Sequence, residues 1–359
     1  MFTCQLSCYP EYLHKAMGFD FSERFHTDSM YRNEKWKEVL RWIHARFGRW
    51  RCGSAEPQDA YSATTLDSVH LTAYLFGSRV RYFVDNFPDS HDYPQSELSA
   101  LQAFAWRTEP VKKRIDALLQ ETRRLVERFG PSKVSFPYYL GEDAGMRDLE
   151  HTHCPLTISY RLFGERLFIE MYDNPEAVGH VFRSLTDMSL ELSAAFRGLL
   201  GIPKPAGACI GACALALVGV DQFTDLLRPA FEAFADGRQL YFHSCGNVNK
   251  HLEALSELNE TIPIRVFDCR EQSSIDLCKL AESFPGTTIS YMLSPPACLT
   301  RSPEDIARVV RETVEKTAGN PLHLILNLPA GVEDALVDAF FETCVALGAQ
   351  LPQGGFSFS

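Results

Sequence analysis

Short apolar runs alternate with amphipathic stretches along this chain, and the alternation sharpens after residue 206. Residues 206–216 are small and apolar. Residues 240–242, 262–267, 287–293 and 322–326 are short apolar runs bounded by turn residues, so each predicts a strand. Between and after them, residues 221–236, 248–255, 274–284, 303 onward and the stretch reaching 347 read as helices. Val248, Leu252 and Leu255, for example, share one helical side. Upstream, residues 80–84 and 133–138 read as strands, and 34–47, 110–129 and 175–200 as helices. Residue chemistry marks the helix ends. Asn174-Pro175-Glu176 offers a cap, a ring-fixed first residue and an acid that suits the helix dipole. Asp28 or Ser29 is a cap candidate, Ser302-Pro303-Glu304 opens a further helix, and Gly164 and Gly201 mark stops.

Strand and helix alternate five times after residue 206, which predicts a parallel sheet. With the two upstream strands and one further short strand, eight is within reach. At 359 residues the chain favours a closed (β/α)8 TIM barrel with an N-terminal helical extension over an open sheet. Residues 1–75 read as an arm and helices packed on the barrel, with 1–30 irregular and aromatic; residues 76–359 read as the barrel, ending in a loop over 352–359.

Composition narrows the function. Lys and Arg number 35 against 46 Asp and Glu, a net charge of −11, which argues against a general nucleic-acid binder. No apolar run is long enough to cross a membrane, and the first residues lack a signal-peptide pattern. The 11 cysteines are odd in number and follow no framework spacing, so reduced thiols in the cytoplasm are expected. No repeat, G-x-G-x-x-G or P-loop occurs. The aromatic N-terminal arm is a candidate homodimer interface.

In a barrel of this kind, catalytic groups sit at the carboxyl ends of strands. Those ends carry Asp85, Tyr138, Cys209 and Cys213, His243 with Cys245, Asp268 with Cys269, and Asn327. His243-Ser244-Cys245 is the most informative. Residues i and i+2 of a strand share a face, so imidazole and thiolate can converge on one borderline-soft cation, most commonly Zn²⁺. Gly246 lets the chain turn away without a Cβ in the site. The blander alternative is a buried Cys and a hydrogen-bonded His at a strand end. His151-Thr152-His153-Cys154 would ligate only if extended, and Pro155 suggests instead a helix start with His and Thr as caps. Asp268 is a candidate to orient His243 or touch substrate, against a helix-cap role. Tyr138 is a candidate hydrogen-bond donor, against barrel packing. His26 and Asp28 are candidates for a site mouth.

Several pieces, in order and spacing, resemble the uroporphyrinogen decarboxylase superfamily, and within it the cobalamin-dependent methyltransferase branch of the methylcobamide:coenzyme M type. They are Pro155-Leu156-Thr157 with Gly164; Asn174-Pro175-Glu176; Phe223 through Pro229 leading to Phe242-His-Ser-Cys-Gly246; Asp268; Ser302 through Ile306; and Asp338-Ala339-Phe340. The match runs from about residue 130 to 348, with a looser one over 25–47. The resemblance implies a (β/α)8 barrel with its pocket at the strand ends and a zinc role for His243 and Cys245. In that branch the metal holds a small thiol such as coenzyme M, and the thiolate takes a methyl group from a corrinoid carried by a partner protein. A free thiol with a pKa of about 8.5 is mostly protonated at neutral pH, and an adjacent dication removes that proton.

The chain departs from the branch in one ligand. The later Cys that completes the family's zinc site has no counterpart in Asn327-Leu-Pro-Ala-Gly331. Cys209, Cys213 and Cys269 end neighbouring strands, and Cys213 is the preferred third ligand because relatives place polar pocket residues in its segment. The decarboxylases' His at that later point and their Arg-rich N-terminal signature are also absent, which argues against uroporphyrinogen decarboxylation. The alternatives to methyl transfer are a non-catalytic barrel that binds a corrinoid or tetrapyrrole, and a divergent decarboxylase. The scarcity of cations at the strand ends, Arg270 being the obvious one, weighs against the latter.

Overall fold

The computed structural model describes residues 1–90, 92–95, 97–135, 149–352 and 354–358. Its centre is an eight-stranded sheet. The strands are β1 (Phe2–Cys8), β2 (Leu149–His153), β3 (Gly207–Gly211), β4 (Gln239–Ser244), β5 (Ile264–Arg270), β6 (Thr288–Leu293), β7 (Leu322–Leu328) and β8 (Phe356–Phe358). They lie in the order β8-β1-β7-β6-β5-β4-β3-β2, and every neighbouring pair is parallel. Helices fill the connections, as parallel pairing requires. They include Pro155–Phe163, Pro175–Leu200, Leu252–Thr261, Pro303–Lys316 and Asp334–Ala346. No helix among the described residues is long and apolar enough to cross a membrane.

Alternation along each strand gives the sheet two unlike faces. On β7, Leu322, Leu324, Leu326 and Leu328 are buried in one core with Val337, Phe340 and Phe341 of the last helix. His323, Ile325 and Asn327 take the opposite face. On β5, Phe267 and Cys269 join the core while Asp268 and Arg270 point the other way. Side chains that would normally face water thus line one side of a buried sheet.

Several sequence expectations change. Residues 1–30 are not irregular: β1 pairs with β7 and β8 inside the sheet. Phe19, Phe21 and Phe25 pack edge-on or tilted against one another and are buried in the core. The tail is not wholly loop, because Phe356–Phe358 is β8. Residues 80–84 do not supply a strand of this sheet; Val80–Arg81 forms a two-residue antiparallel ribbon with Asp89–Ser90. Of residues 133–138, Val134 makes a single bridge to Tyr61, and 136–138 lie outside the described residues. The strand expected nowhere in particular is β2, immediately before the helix that Pro155 opens.

Local chemistry explains the ends. Asp28 does cap the helix Ser29–Phe47, accepting from the Met30 and Tyr31 amides at 3.1 and 3.0 Å. Ser302 and Asp305 form a reciprocal capping box ahead of Pro303–Lys316. Asn174 precedes Pro175–Leu200, but its side chain turns back to Glu170 instead of capping. Strand β2 is held by charge. Glu150, 3% exposed on the helix-packed face, accepts from Arg197 at 2.5 Å and from Arg238. That triad ties β2 to the helix Pro175–Leu200 and to the turn before β4.

Candidate metal centre

The site grows from the end of β4. His243 is its penultimate residue and Cys245 follows it on the same face, with Ser244 between them turned into the core. A Cβ on Gly246 would lie 2.6 Å from the Ala216 Cβ and 3.2 Å from the Cys213 carbonyl oxygen. The glycine therefore lets the turn Cys213–Leu217, which follows β3, close against the end of β4. That approach sets Cys213 Sγ 3.4 Å from Cys245 Sγ, and Cys245 Sγ 3.0 Å from His243 Nε2. One ligand atom from each of these three residues lies within 4.8 Å of the others.

Behind the cluster, His243 Nδ1 meets Asp268 Oδ2 at 2.5 Å, and Ser290 Oγ donates to Asp268 Oδ1 at 2.5 Å. Sheet register accounts for this chain of contacts. His153, Gly211, His243, Asp268, Ser290, His323 and Thr3 occupy one continuous row across neighbouring strands. Thr3 Oγ1 and His323 Nδ1 close the far end at 2.8 Å. At the near end, Ser68 Oγ accepts the His153 amide and pairs with its Nδ1, both at 2.8 Å. A Cβ at Gly211 would sit 2.7 Å from His153 Cδ2, so this glycine makes room for the imidazole.

The electrostatics favour an anionic sulfur beside a held imidazole. Burial opposes charge on His243, but its bonds to Asp268 and Cys245 outweigh burial and raise it to about 9. Cys213 donates to Cys245, so that bond, with burial, pushes the Cys213 thiol up and holds Cys245 down as the thiolate; His243 and Arg270 add to the second effect. Burial tends to raise Asp268, yet the His243 bond keeps it ionised. Burial raises Cys209 and Cys269, which stay thiols. His151 is pushed down to about 3 by burial and then by the neighbouring His153 and His243.

Two sulfurs and one imidazole nitrogen, with a carboxylate on the other ring nitrogen, match the donor chemistry of zinc. Cys213, His243 and Cys245 would hold the ion. The other sequence candidates fall elsewhere. Asp268 stands inside β5 behind His243 and caps no helix. Cys269 faces the helices and Cys209 lies a row below Gly211; neither joins the cluster. His151 and His153 are extended after all, yet among the described residues they complete no three-ligand group. His26 is buried away from solvent, stacked on Tyr82. Asp85 is exposed and outside the sheet, Asn327 lies within β7 instead of a loop, and Tyr138 lies outside the described residues. Sequence reading missed Ser290, His323 and Thr3. The signal was present as polar residues at alternate positions of otherwise apolar strands.

No protein-family model and no curated protein matches the chain. Among solved structures, a methyltransferase from Methanosarcina mazei superposes with a TM-score of 0.62 at 16% sequence identity, over 97% of this chain and 94% of that one. The likeness is one of fold.

Proposed function

We propose that this chain is a zinc-dependent methyltransferase that moves a methyl group between a corrinoid, carried by a partner protein, and a small thiol. The observation that carries the reading is the convergence of Cys213, His243 and Cys245 at the ends of adjacent strands, with ligand atoms within 4.8 Å. Three protein donors leave a position for substrate, the hallmark of a catalytic and not a structural zinc. The likeness in fold to a methyltransferase supports the same reaction class. In this reading the sheet curls into a (β/α)8 barrel with the polar row facing its interior, which accounts for polar side chains on a buried face.

Bound there, zinc would hold a substrate thiol as its thiolate at neutral pH. The chain's own residues prepare that event. Asp268 fixes the His243 ring so that Nε2 faces the ligand position, and keeps the Nδ1 proton between imidazole and carboxylate. Ser290 fixes Asp268 in turn. Gly246 keeps Cys213 in reach of Cys245.

The test is elemental analysis followed by a methyl-transfer assay. Wild type is expected to carry near-stoichiometric zinc, with His243→Ala, Cys245→Ser and Cys213→Ser each losing most of it. The zinc form is expected to demethylate methylcobalamin with a small thiol as acceptor. A wild type that stays free of metal after reconstitution would sink the zinc reading. A zinc-loaded protein that leaves methylcobalamin untouched across a thiol panel would sink methyl transfer.

A further inference from the structure

Arg270 ends β5, two residues beyond Asp268 and on the same face. Its register partner is Met292, whose own partner is Ile325. The guanidinium therefore stands one row beyond the Asp268–His243 pair, toward the strand ends where Cys245 lies. Its charge acts on Cys245, Asp268, Tyr9 and Cys213. Yet its Nε is buried with no hydrogen-bond partner, and no carboxylate among the described residues forms an ion pair with it.

The other buried or half-buried arginines among the described residues are all answered. Arg197 and Arg238 share Glu150. Arg32 spends its donors on the Phe25, His26 and Ser62 carbonyls. Glu271, the acid next to Arg270 in the chain, is taken by Arg301 through two donors at 2.9 and 2.5 Å. A second unmatched group lies on the same face. Asn327 is 0% exposed and its Oδ1 has no partner among the described residues, while its Nδ2 rests on Met292 Sδ at 3.3 Å. Met292 thus separates a guanidinium with no hydrogen-bonded acid from an amide oxygen with no partner among the described residues. Buried polar groups are normally paired, and an unpaired cation beside a reactive cluster marks a place where a ligand brings the counter-charge.

We propose that Arg270 is the anion-recognition residue of this site and takes the carboxylate of a small thiol acid whose sulfur meets the Cys213–His243–Cys245 group. The proposal deepens the reading of that group as a zinc site and rests on it. A planar guanidinium matches a planar carboxylate through two parallel hydrogen bonds; a sulfonate also spans the fork, but its far less basic oxygens accept more weakly, and an uncharged end makes neither bond. Arg270 is then a specificity residue: it decides which thiol stays.

The experiment is calorimetric binding to the zinc-loaded full chain. The ligands are 3-mercaptopropionate, 2-mercaptoethanesulfonate and the neutral 1-propanethiol, set against wild type, Arg270→Gln and Arg270→Lys. Wild type is expected to bind the carboxylate thiol at least about tenfold tighter than the neutral one, and tighter than the sulfonate. Arg270→Gln should lose that preference while keeping zinc. Arg270→Lys should keep a preference for charge but lose the one for carboxylate over sulfonate. Equal binding of all three thiols by wild type overturns the proposal and leaves the zinc–thiol reading standing. Equal binding of the two acids overturns the carboxylate assignment. Absence of zinc, or of any thiol binding by the zinc form, overturns both. The wild-type comparison needs no variant to fold.

Discussion

Asp268 faces two partners at once, and its two oxygens divide the work: Oδ2 holds the His243 ring and Oδ1 receives Ser290. A carboxylate behind a ligating imidazole fixes the ring and strengthens it as a donor, and its loss typically costs ten- to a hundredfold in metal affinity. Asp268→Asn should therefore weaken zinc binding by about that factor. Ser290→Ala should weaken it less, because it loosens the carboxylate without removing its charge. Competition against a chromophoric chelator reads both, and an unchanged affinity in Asp268→Asn would mean that the carboxylate does not strengthen His243 as a ligand. His26 gives a prediction of another kind. It is 2% exposed, and burial followed by the charge of Arg32 lowers it to about 4 from an ordinary 6.5. The unfolded chain then binds a proton that the folded chain refuses, so stability is present above about pH 6.5 and lost as pH falls toward about 4. The loss between about pH 7 and about pH 4.5 should be on the order of 2 kcal/mol. Urea unfolding at the two values should show a loss larger by that amount in wild type than in His26→Gln, because His151, also lowered by burial, adds its own loss to both. Equal slopes in the two proteins would place the acid sensitivity elsewhere.

At the level of elements, the turn Cys213–Leu217 matters as much as any ligand, and Gly246 controls it. Gly246→Ala puts a methyl group 2.6 Å from Ala216 Cβ, a contact that must be relieved by moving the turn. Overpacking of this kind costs about 1–3 kcal/mol. It should also part Cys213 from Cys245, so zinc affinity falls together with the urea midpoint; a stable variant with full affinity would show that the turn adapts. The same contact explains how much of the site the sequence revealed. His243 and Cys245 were legible because i and i+2 spacing on a strand is local information. Cys213 was reached through the family resemblance, as one of three cysteines that end neighbouring strands. Ser290 and His323 were not legible, because alternate polar residues in Thr288–Leu293 and Leu322–Leu328 mark a polar face but not a partner until register aligns them with Asp268. Strands show the same division. β4 to β7 are bounded apolar runs and were read near their true limits. β2, Leu-Glu-His-Thr-His, breaks the pattern because its helix-packed face is ionic: Glu150 is buried there only by virtue of Arg197 and Arg238. β1 hides for the opposite reason. Thr3, Gln5 and Ser7 look like loop residues, yet they belong to the polar face.

For the whole molecule, β1 is the piece whose removal should be felt furthest. It runs the full length of β7 on one side and receives β8 on the other, with Leu6 opposite Phe356. Cys4, Leu6 and Cys8 are buried in the main core. Thr3 meets His323 at the end of the row that reaches His243. Deleting residues 1–8 would strip β7 of its partner along its whole length and bare an apolar edge, which invites association between chains. Deleting residues 354–358 removes only a three-residue strand at the sheet's margin. The two truncations should therefore separate. The C-terminal one should still melt cooperatively with a lowered midpoint and keep its zinc. The N-terminal one should lose cooperative melting and elute as aggregate. Circular dichroism on heating, with size-exclusion chromatography and metal analysis, distinguishes them. If the chain without residues 1–8 melted in one step and held zinc, the polar row would have to be stable without its far end, and the Cys213–His243–Cys245 cluster would depend only on β3, β4 and β5. If it collapsed as expected, the Cys213–His243–Cys245 cluster and the N-terminal strand would form one cooperative unit, joined through the row of side chains that crosses the sheet.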